Sequence, residues 1–351
     1  MMNMKKEELV EEFKKYNLPS YRVNQIWTWI YNKGVKDFDC MLNLSKETRH
    51  LLKQYYEIDF GTVTKDTLSE DGTRKFLIKF GSHQVESVFI PETLRGTICV
   101  SSQVGCSLSC SFCHTGTQKI ARNLTAGEIV SQVLQAKHLM YDFTPTGKIV
   151  SNIVFMGQGE PFYNYTNVRE AIKILLDQNG LSFSKRRITV STSGVVPNIK
   201  KLGTEFTGIS LAISLHAVTN ELRSQLVPAN KQWPLEELIE ACKNFPGLGP
   251  FNRITFEYVM LKDVNDSDEM AHKLADLLTG FPALVNLIPF NPWPGTIYET
   301  SSNNRIRRFA EIISEKGIEA PIRWPRGRDI SAACGQLKTE SEKEKEKNIS
   351  I

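Results

Sequence analysis

Three of the seven cysteines in this chain fall within eight residues, Cys106-Ser-Leu-Ser-Cys110-Ser-Phe-Cys113. No other feature constrains the fold so tightly. Thiolates at this x3 and x2 spacing share one tight loop, and thiolates are the usual ligands of iron–sulfur clusters. Three of them can cap three irons of a cubane, and no fourth cysteine lies close by in the chain. One iron is then free for a small-molecule ligand, as a catalytic cluster requires. His114 follows directly and could instead close a tetrahedral zinc site, so structural zinc is the alternative.

The rest of the composition fits an intracellular enzyme. The chain has 351 residues and an odd number of cysteines. With no export signal, that argues against a disulfide scaffold. Met1 to Lys15 carries four Glu and four Lys, unlike a signal or transit peptide. No apolar run approaches the ~18 residues a membrane span needs. The expectation is a cytoplasmic monomer without membrane contact. Net charge is only +4. Local basic clusters at Lys185-Arg186-Arg187 and from Arg323 to Arg328 could be solvated surface or a polyanion contact. Cys40 and Cys242 sit among apolar neighbours and read as buried small hydrophobes.

Hydrophobic periodicity divides the chain. Residues 1–58 read as three short helices, with Pro19-Ser20 ending the first and capping the second. Within 59–98, Phe76 to Phe80 and Val85 to Ile90 flank Gly81-Ser82 as a hairpin extension. From 99 to 337, strand-like runs (Ile149–Met156, Arg187–Ser191, Gly208–His216, Arg253–Leu261, Leu284–Pro289) alternate with helical ones (Ala126–Met140, Asn167–Leu176). Thr125-Ala-Gly-Glu128 is a capping box for the first of these helices. Repeated β–α units predict a parallel sheet, open or curled into a barrel, with its site at the carboxyl ends of the strands. The Lys-, Glu- and Ser-rich segment 338–351 reads as a disordered tail.

The x3–x2 cysteine spacing resembles the radical S-adenosylmethionine (SAM) superfamily. That likeness implies an α/β fold with a partial (β/α)6 barrel, a 4Fe–4S cluster on Cys106, Cys110 and Cys113, and SAM on the open iron. Gly157-Gln-Gly-Glu160-Pro161, at a strand end, resembles that superfamily's SAM-binding loop. There, glycines let a ligand approach the backbone and the acid can take an ammonium group.

A closer resemblance, covering nearly the whole chain, is to the RlmN family. It rests on Cys99-Val-Ser-Ser-Gln-Val-Gly-Cys106, Lys185 to Gly194, Ser214-Leu-His216, Asn286 to Gly295, and Asp329-Ile-Ser-Ala-Ala-Cys-Gly-Gln-Leu337. It implies methylation of C2 of an adenosine in 23S rRNA and of one in tRNA, with two SAM per turnover. Carbon C2 has no lone pair to attack SAM directly. The resemblance implies that Cys334 is first methylated and that a SAM-derived deoxyadenosyl radical then activates its methyl group for addition to C2. Cys99 would release the product by forming a disulfide with Cys334, and Glu86 would be the proton acceptor. Gly159, Glu160, Ser191, Ser214, Leu215, His216 and Asn291 match SAM-contacting positions. Residues 1–58 would serve the RNA, with Trp27, Trp29 and Tyr31 available to stack on bases, although core packing claims at least two of them. A flavodoxin or ferredoxin is the implied electron donor. The Cfr type of the same fold, which methylates C8 of the same rRNA adenosine, is one rival. A non-catalytic zinc RNA-binding protein is the other.

Overall fold

The computed structural model describes residues 1–93, 95–144 and 149–339. The N-terminal segment folds as α1 (Lys6–Lys14), α2 (Tyr21–Trp27) and α3 (Lys46–Tyr55). Leu9 and Phe13 on α1, Val23, Ile26 and Trp27 on α2, and Leu52 on α3 are buried, as an apolar stripe at helical spacing requires. Ser20 precedes α2 without capping it: its own backbone is helical and its hydroxyl bonds no backbone N–H. The predicted side-chain cap is therefore absent. A π turn, Thr28–Asn32, continues α2 and buries Tyr31. Trp27 and Tyr31 are core residues, whereas Trp29 is half-buried beneath the Lys33 ammonium. Cys40 is exposed, contrary to the sequence reading. It ends a short 3-10 turn, Phe38–Cys40, and Phe38 and the following Met41 occupy the core positions.

The expected hairpin is flanked by two strands that periodicity did not reveal. The order is β1 (Thr62–Leu68), β2 (Arg74–Phe80), β3 (His83–Pro91) and β4 (Gly96–Cys99), each antiparallel to the one before. β1 is mostly exposed on both faces, so it carries no apolar alternation to read. The β2–β3 turn falls at Gly81-Ser82, and Gly81 has φ +59°. A small ribbon, β5 (Gln103–Val104) with β6 (Arg122–Asn123), brackets the cysteine loop.

The repeating units then run α4 (Ala126–Leu139), β7 (Val150–Phe155), α5 (Tyr165–Leu176), β8 (Ile188–Thr192), α6 (Val196–Glu205) and β9 (Ser210–Ser214). They continue through α7 (Asn220–Leu226), α8 (Leu235–Lys243), β10 (Ile254–Met260), α9 (Asp268–Leu278), β11 (Ala283–Pro289) and α10 (Asn303–Glu315). The capping box at Thr125 and Glu128 is formed. Strands β4, β7, β8, β9, β10 and β11 lie side by side in chain order and pair in parallel, the arrangement of six β/α units in a partial barrel. The three antiparallel strands extend the same sheet beyond β4.

The C-terminal segment begins along the far edge. Glu319 and Ile322 form bridges to β11. The chain then crosses to the first hairpin, where Asp71 receives bonds from the Arg326 side chain and the Gly327 N–H, and Ser69 donates to Asp329. The loop from 323 to 339 thereby links the two edges of an open sheet. Its end is fixed: Thr339 is buried and bonds the Gln158 side chain. The predicted disordered tail therefore starts too early at 338, and residues 340–351 lie outside those described.

A candidate active site at the carboxyl ends of the parallel strands

The strand ends enclose a cavity of ≈ 240 Å³. Five of the seven cysteines face it: Cys99, Cys106, Cys110, Cys113 and Cys334. Cys99 ends β4, the three clustered cysteines occupy the loop that follows, and Cys334 arrives on the C-terminal loop. Cys99 packs with Val88, Ala332 and Leu337, so the loop closes the cavity with apolar contacts as well as backbone bonds. His114 N–H donates to Gly335 O at 2.7 Å, and the Thr115 hydroxyl donates to Leu337 O.

Burial sets the protonation of these thiols. It pushes Cys99 and Cys106 up to about 12, raises Cys110 well above the ordinary thiol range, and raises Cys113. Cys334 is exposed, but towards the cavity, and its thiol is also raised, chiefly by desolvation and then by the nearby Glu257 carboxylate. Buried thiols of this kind suit positively charged iron, which stabilises the thiolate form. Among the described residues, no three His, Cys, Asp or Glu side chains converge closely enough to hold a single ion. His114, the candidate fourth zinc ligand, lies flat against the Trp293 ring, 4.8 Å between centroids.

The glycine-rich turn after β7 lies beside the cluster loop. Gly159 has φ +96°, and a Cβ there would meet Gln103 Cβ at 2.5 Å and Gln103 N at 2.9 Å. Only glycine fits. The Glu160 carboxylate is buried at the cavity wall and accepts the N–H groups of Phe162 at 3.0 Å and Ser193 at 2.8 Å. Burial still raises its pKa, and these bonds oppose the rise. A buried acid left facing a cavity is suited to a cationic group.

His216 carries the left-handed backbone φ of +62° at the end of β9. Its Nδ1 accepts the Val259 N–H at 3.1 Å, which leaves the ring proton on Nε2. Burial lowers its pKa to about 3, so the imidazole is neutral. Ser191, Ser214 and Asn291 also face the cavity. Both ends of the Asn291 amide are engaged, with Nδ2 donating to Cys334 O and Oδ1 accepting from Arg328.

Two of the expected residues are not brought to the cavity wall. Leu215 is fully buried, and its backbone N–H and C=O are taken by Glu257 O and the Arg223 guanidinium. Glu86 is buried on β3 and paired with Lys75 at 3.0 Å, just outside the lining residues.

Two further charged residues escaped the sequence reading. Glu257 on β10 faces the cavity, accepts from Asn286 at 2.8 Å, and is pushed by burial up to about 7. An acid within the apolar run Ile254 to Met260 was a signal for it. Arg223 on α7 is completely buried and donates to Ser193 O at 2.7 Å, Asn230 Oδ1 at 2.9 Å, Leu215 O at 3.1 Å and Ser214 O at 3.2 Å. Nothing in its local sequence distinguishes it from a surface arginine.

Comparison with known proteins adds independent findings. The family model described as Radical SAM superfamily matches residues 100–275, and Ribosomal RNA large subunit methyltransferase N-terminal domain matches residues 1–58. A protein of Agrobacterium fabrum named dual-specificity RNA methyltransferase RlmN is 53% identical, over 98% of this chain and 89% of its own. One of the same name from Rhizobium meliloti is 56% identical over 92% of this chain and 82% of its own. The crystal structure of a radical SAM methyltransferase from Sphaerobacter thermophilus superimposes with a TM-score of 0.91 at 43% identity, covering 97% of this chain and 99% of that one.

Proposed function

The chain belongs to the RlmN family of dual-specificity RNA methyltransferases, within the radical SAM superfamily, and from that premise we propose that it methylates C2 of an adenosine in 23S rRNA and in tRNA. One observation carries the reading: five cysteines from two distant parts of the chain, 99–113 and 334, face a single cavity. A cluster alone needs three. The other two are what methylation through a protein-bound carbon requires.

Cys106, Cys110 and Cys113 would hold a 4Fe–4S cluster, with Gly159, Glu160, Ser191, Ser214, His216 and Asn291 around its SAM ligand and Leu215 behind that wall. When bound, these groups supply a methyl group and one-electron hydrogen abstraction. Everything else falls to the protein. Cys334 accepts the methyl carbon on its sulfur. Once that carbon is joined to C2, the adduct carries one unpaired electron, which would return to the bound cluster as the one-electron acceptor, and a base takes the C2 proton, with Glu86 the candidate. The Cys99 thiolate then attacks the Cys334 sulfur. An S–S bond forms and the S–C bond breaks. Its electron pair stays on the carbon, which takes up a proton and becomes the methyl group. The disulfide is reduced before the next cycle.

The target base must leave its stack to enter the cavity, and RNA phosphates need cations such as Lys185, Arg186 and Arg187. The N-terminal helices, with Trp29 half-buried under Lys33, are assigned to the RNA. A flavodoxin or ferredoxin would supply electrons to a monomer in the cytoplasm. Among the described residues, no helix is long and apolar enough to cross a membrane.

The test is anaerobic assay of cluster-reconstituted protein on both RNAs, with mass mapping of the modified nucleotide. 2-Methyladenosine is expected. 8-Methyladenosine would replace the reading with the Cfr type. Colourless, inactive protein carrying tetrahedral zinc would overturn it.

A further inference from the structure

Lys75 has no part in the chemistry just described, yet its position ties two parts of it together. In the β2–β3 ladder, Lys75 stands opposite Val88, and Leu77 opposite Glu86. Directly opposed residues project from the same face of a sheet, and so do residues two apart on one strand. Lys75, Glu86, Val88 and Ile90 therefore share a face. Val88 and Ile90 line the cavity, so that face is the inner one. Ser87, between them, points outward and donates to Gln132 on α4 at 2.7 Å.

On this inner face the Lys75 ammonium makes two contacts. One is to Glu86 Oε1 at 3.0 Å. The other is to the carbonyl of Ser331 at 3.1 Å, three residues before Cys334. The other carboxylate oxygen, Glu86 Oε2, is buried and has no hydrogen-bond partner. An acceptor without a donor is rare in a protein interior and needs a reason. Here an engaged oxygen fixes the carboxyl group while its twin is free to take a proton. The Glu86 N–H is also held, by Gln158 Oε1 at 3.0 Å, so the strand itself cannot shift to relieve the orphan.

We propose that Lys75 is a positioning residue for the methyl transfer: it fixes the Glu86 carboxylate against the loop that carries Cys334, so that acid and sulfur are set in one geometry. The proposal rests on Glu86 being the proton acceptor. Lys75 acts late. Methyl loading of Cys334 needs only a seated loop, and the loop has other anchors: Asp71 to Gly327, Ser69 to Asp329, and His114 to Gly335.

The experiment uses reconstituted holoenzyme with Lys75→Met, Lys75→Arg, Glu86→Gln and the double variant Lys75→Met/Glu86→Gln. Protein mass reports methyl loading, and single-turnover assay on an RNA fragment reports product. Lys75→Met should load methyl as the parent does but lose about 100-fold in product formation, the scale of a misplaced catalytic group. Lys75→Arg, which keeps the charge, should recover most of that loss. The double variant should be no slower than Glu86→Gln. Loss of methyl loading in Lys75→Met would mean that Lys75 only braces the loop, and would overturn the proposal. So would product formation by Lys75→Met at the parent rate, or additive losses in the double variant. Normal turnover by Glu86→Gln would instead remove the proton-acceptor role on which the proposal stands.

Discussion

Replacing Arg223 by methionine tests how this fold holds its site. The guanidinium is fully buried and joins the ends of β8 and β9 through the carbonyls of Ser193, Ser214 and Leu215. Its pKa falls from 12.5 to about 10, chiefly through burial. It is still charged near neutrality, and that fall corresponds to about 3 kcal/mol of net desolvation. Methionine removes this cost and fills similar volume. It also strands four buried acceptors, each worth about 1–3 kcal/mol when left without a donor. The losses outweigh the relief, and a net destabilisation of about 3–5 kcal/mol follows, as for other buried charges cut from their partners. Thermal unfolding of the apo chain should shift down by roughly 4–7 °C. Ser214 and Ser193 line the cavity, so SAM affinity measured by calorimetry should fall as well. Lysine cannot span the same acceptors and should rescue little. A methionine variant within about 1 kcal/mol of the parent would refute the reasoning, because it would mean that the stranded carbonyls find other donors.

Three further outcomes follow from the site. Glu257 has a folded-state pKa raised by burial from 4.5 to about 7, so its contribution to stability is whole below pH 4.5 and is lost as pH rises through 7. Denaturant titrations of the apo chain should lose roughly 3 kcal/mol across that window, and Glu257→Gln should remove this dependence, matching the parent in acid and exceeding it in mild alkali. Gly159→Ala places a Cβ against Gln103 at a φ of +96°, so strain of about 1–3 kcal/mol should appear as weaker SAM binding in calorimetry. Cys99→Ala should accumulate an RNA–protein crosslink on denaturing gels, and Cys334→Ala should give neither the crosslink nor methylated protein. Normal turnover by Cys99→Ala would end the resolving role.

The sequence exposed what depends on local pattern and hid what depends on meeting points. Five of the six parallel strands were legible because each is a short apolar run between helices; β4, four residues long and entered from β3, was not. The capping box at Thr125 was legible because it is written in four residues. β1 was not, since an exposed strand has no apolar face to alternate. Cys40 was misplaced because apolar neighbours in sequence do not fix which residue of a turn faces inward. The grouping of Cys106, Cys110 and Cys113 was legible from spacing alone, whereas Cys99 and Cys334 drew attention only through family resemblance. Arg223 and Lys75 look like any surface cation in the chain, and their partners lie on other strands and loops. Burial and pairing are tertiary facts that no local window contains.

The open barrel explains why Cys334, more than two hundred positions beyond Cys113, reaches the same cavity. Six parallel strands do not close on themselves, and the sheet has β11 at one edge and the β1–β2 hairpin beyond the other. An open edge leaves backbone groups unpaired and a core mouth uncovered. The C-terminal segment meets both needs: it bridges to β11 through Glu319 and Ile322, then crosses to Ser69 and Asp71 at the far hairpin. A crossing chain must pass over the carboxyl ends of the strands between those anchors. Cys334 sits on that crossing, bonded through its carbonyl to Asn291 and facing the same cavity as Cys106, Cys110 and Cys113. The segment that completes the fold is thus the one that brings a sulfur over the site. The wide gap in sequence between Cys113 and Cys334 is the length needed to build the remaining β/α units before the chain can return.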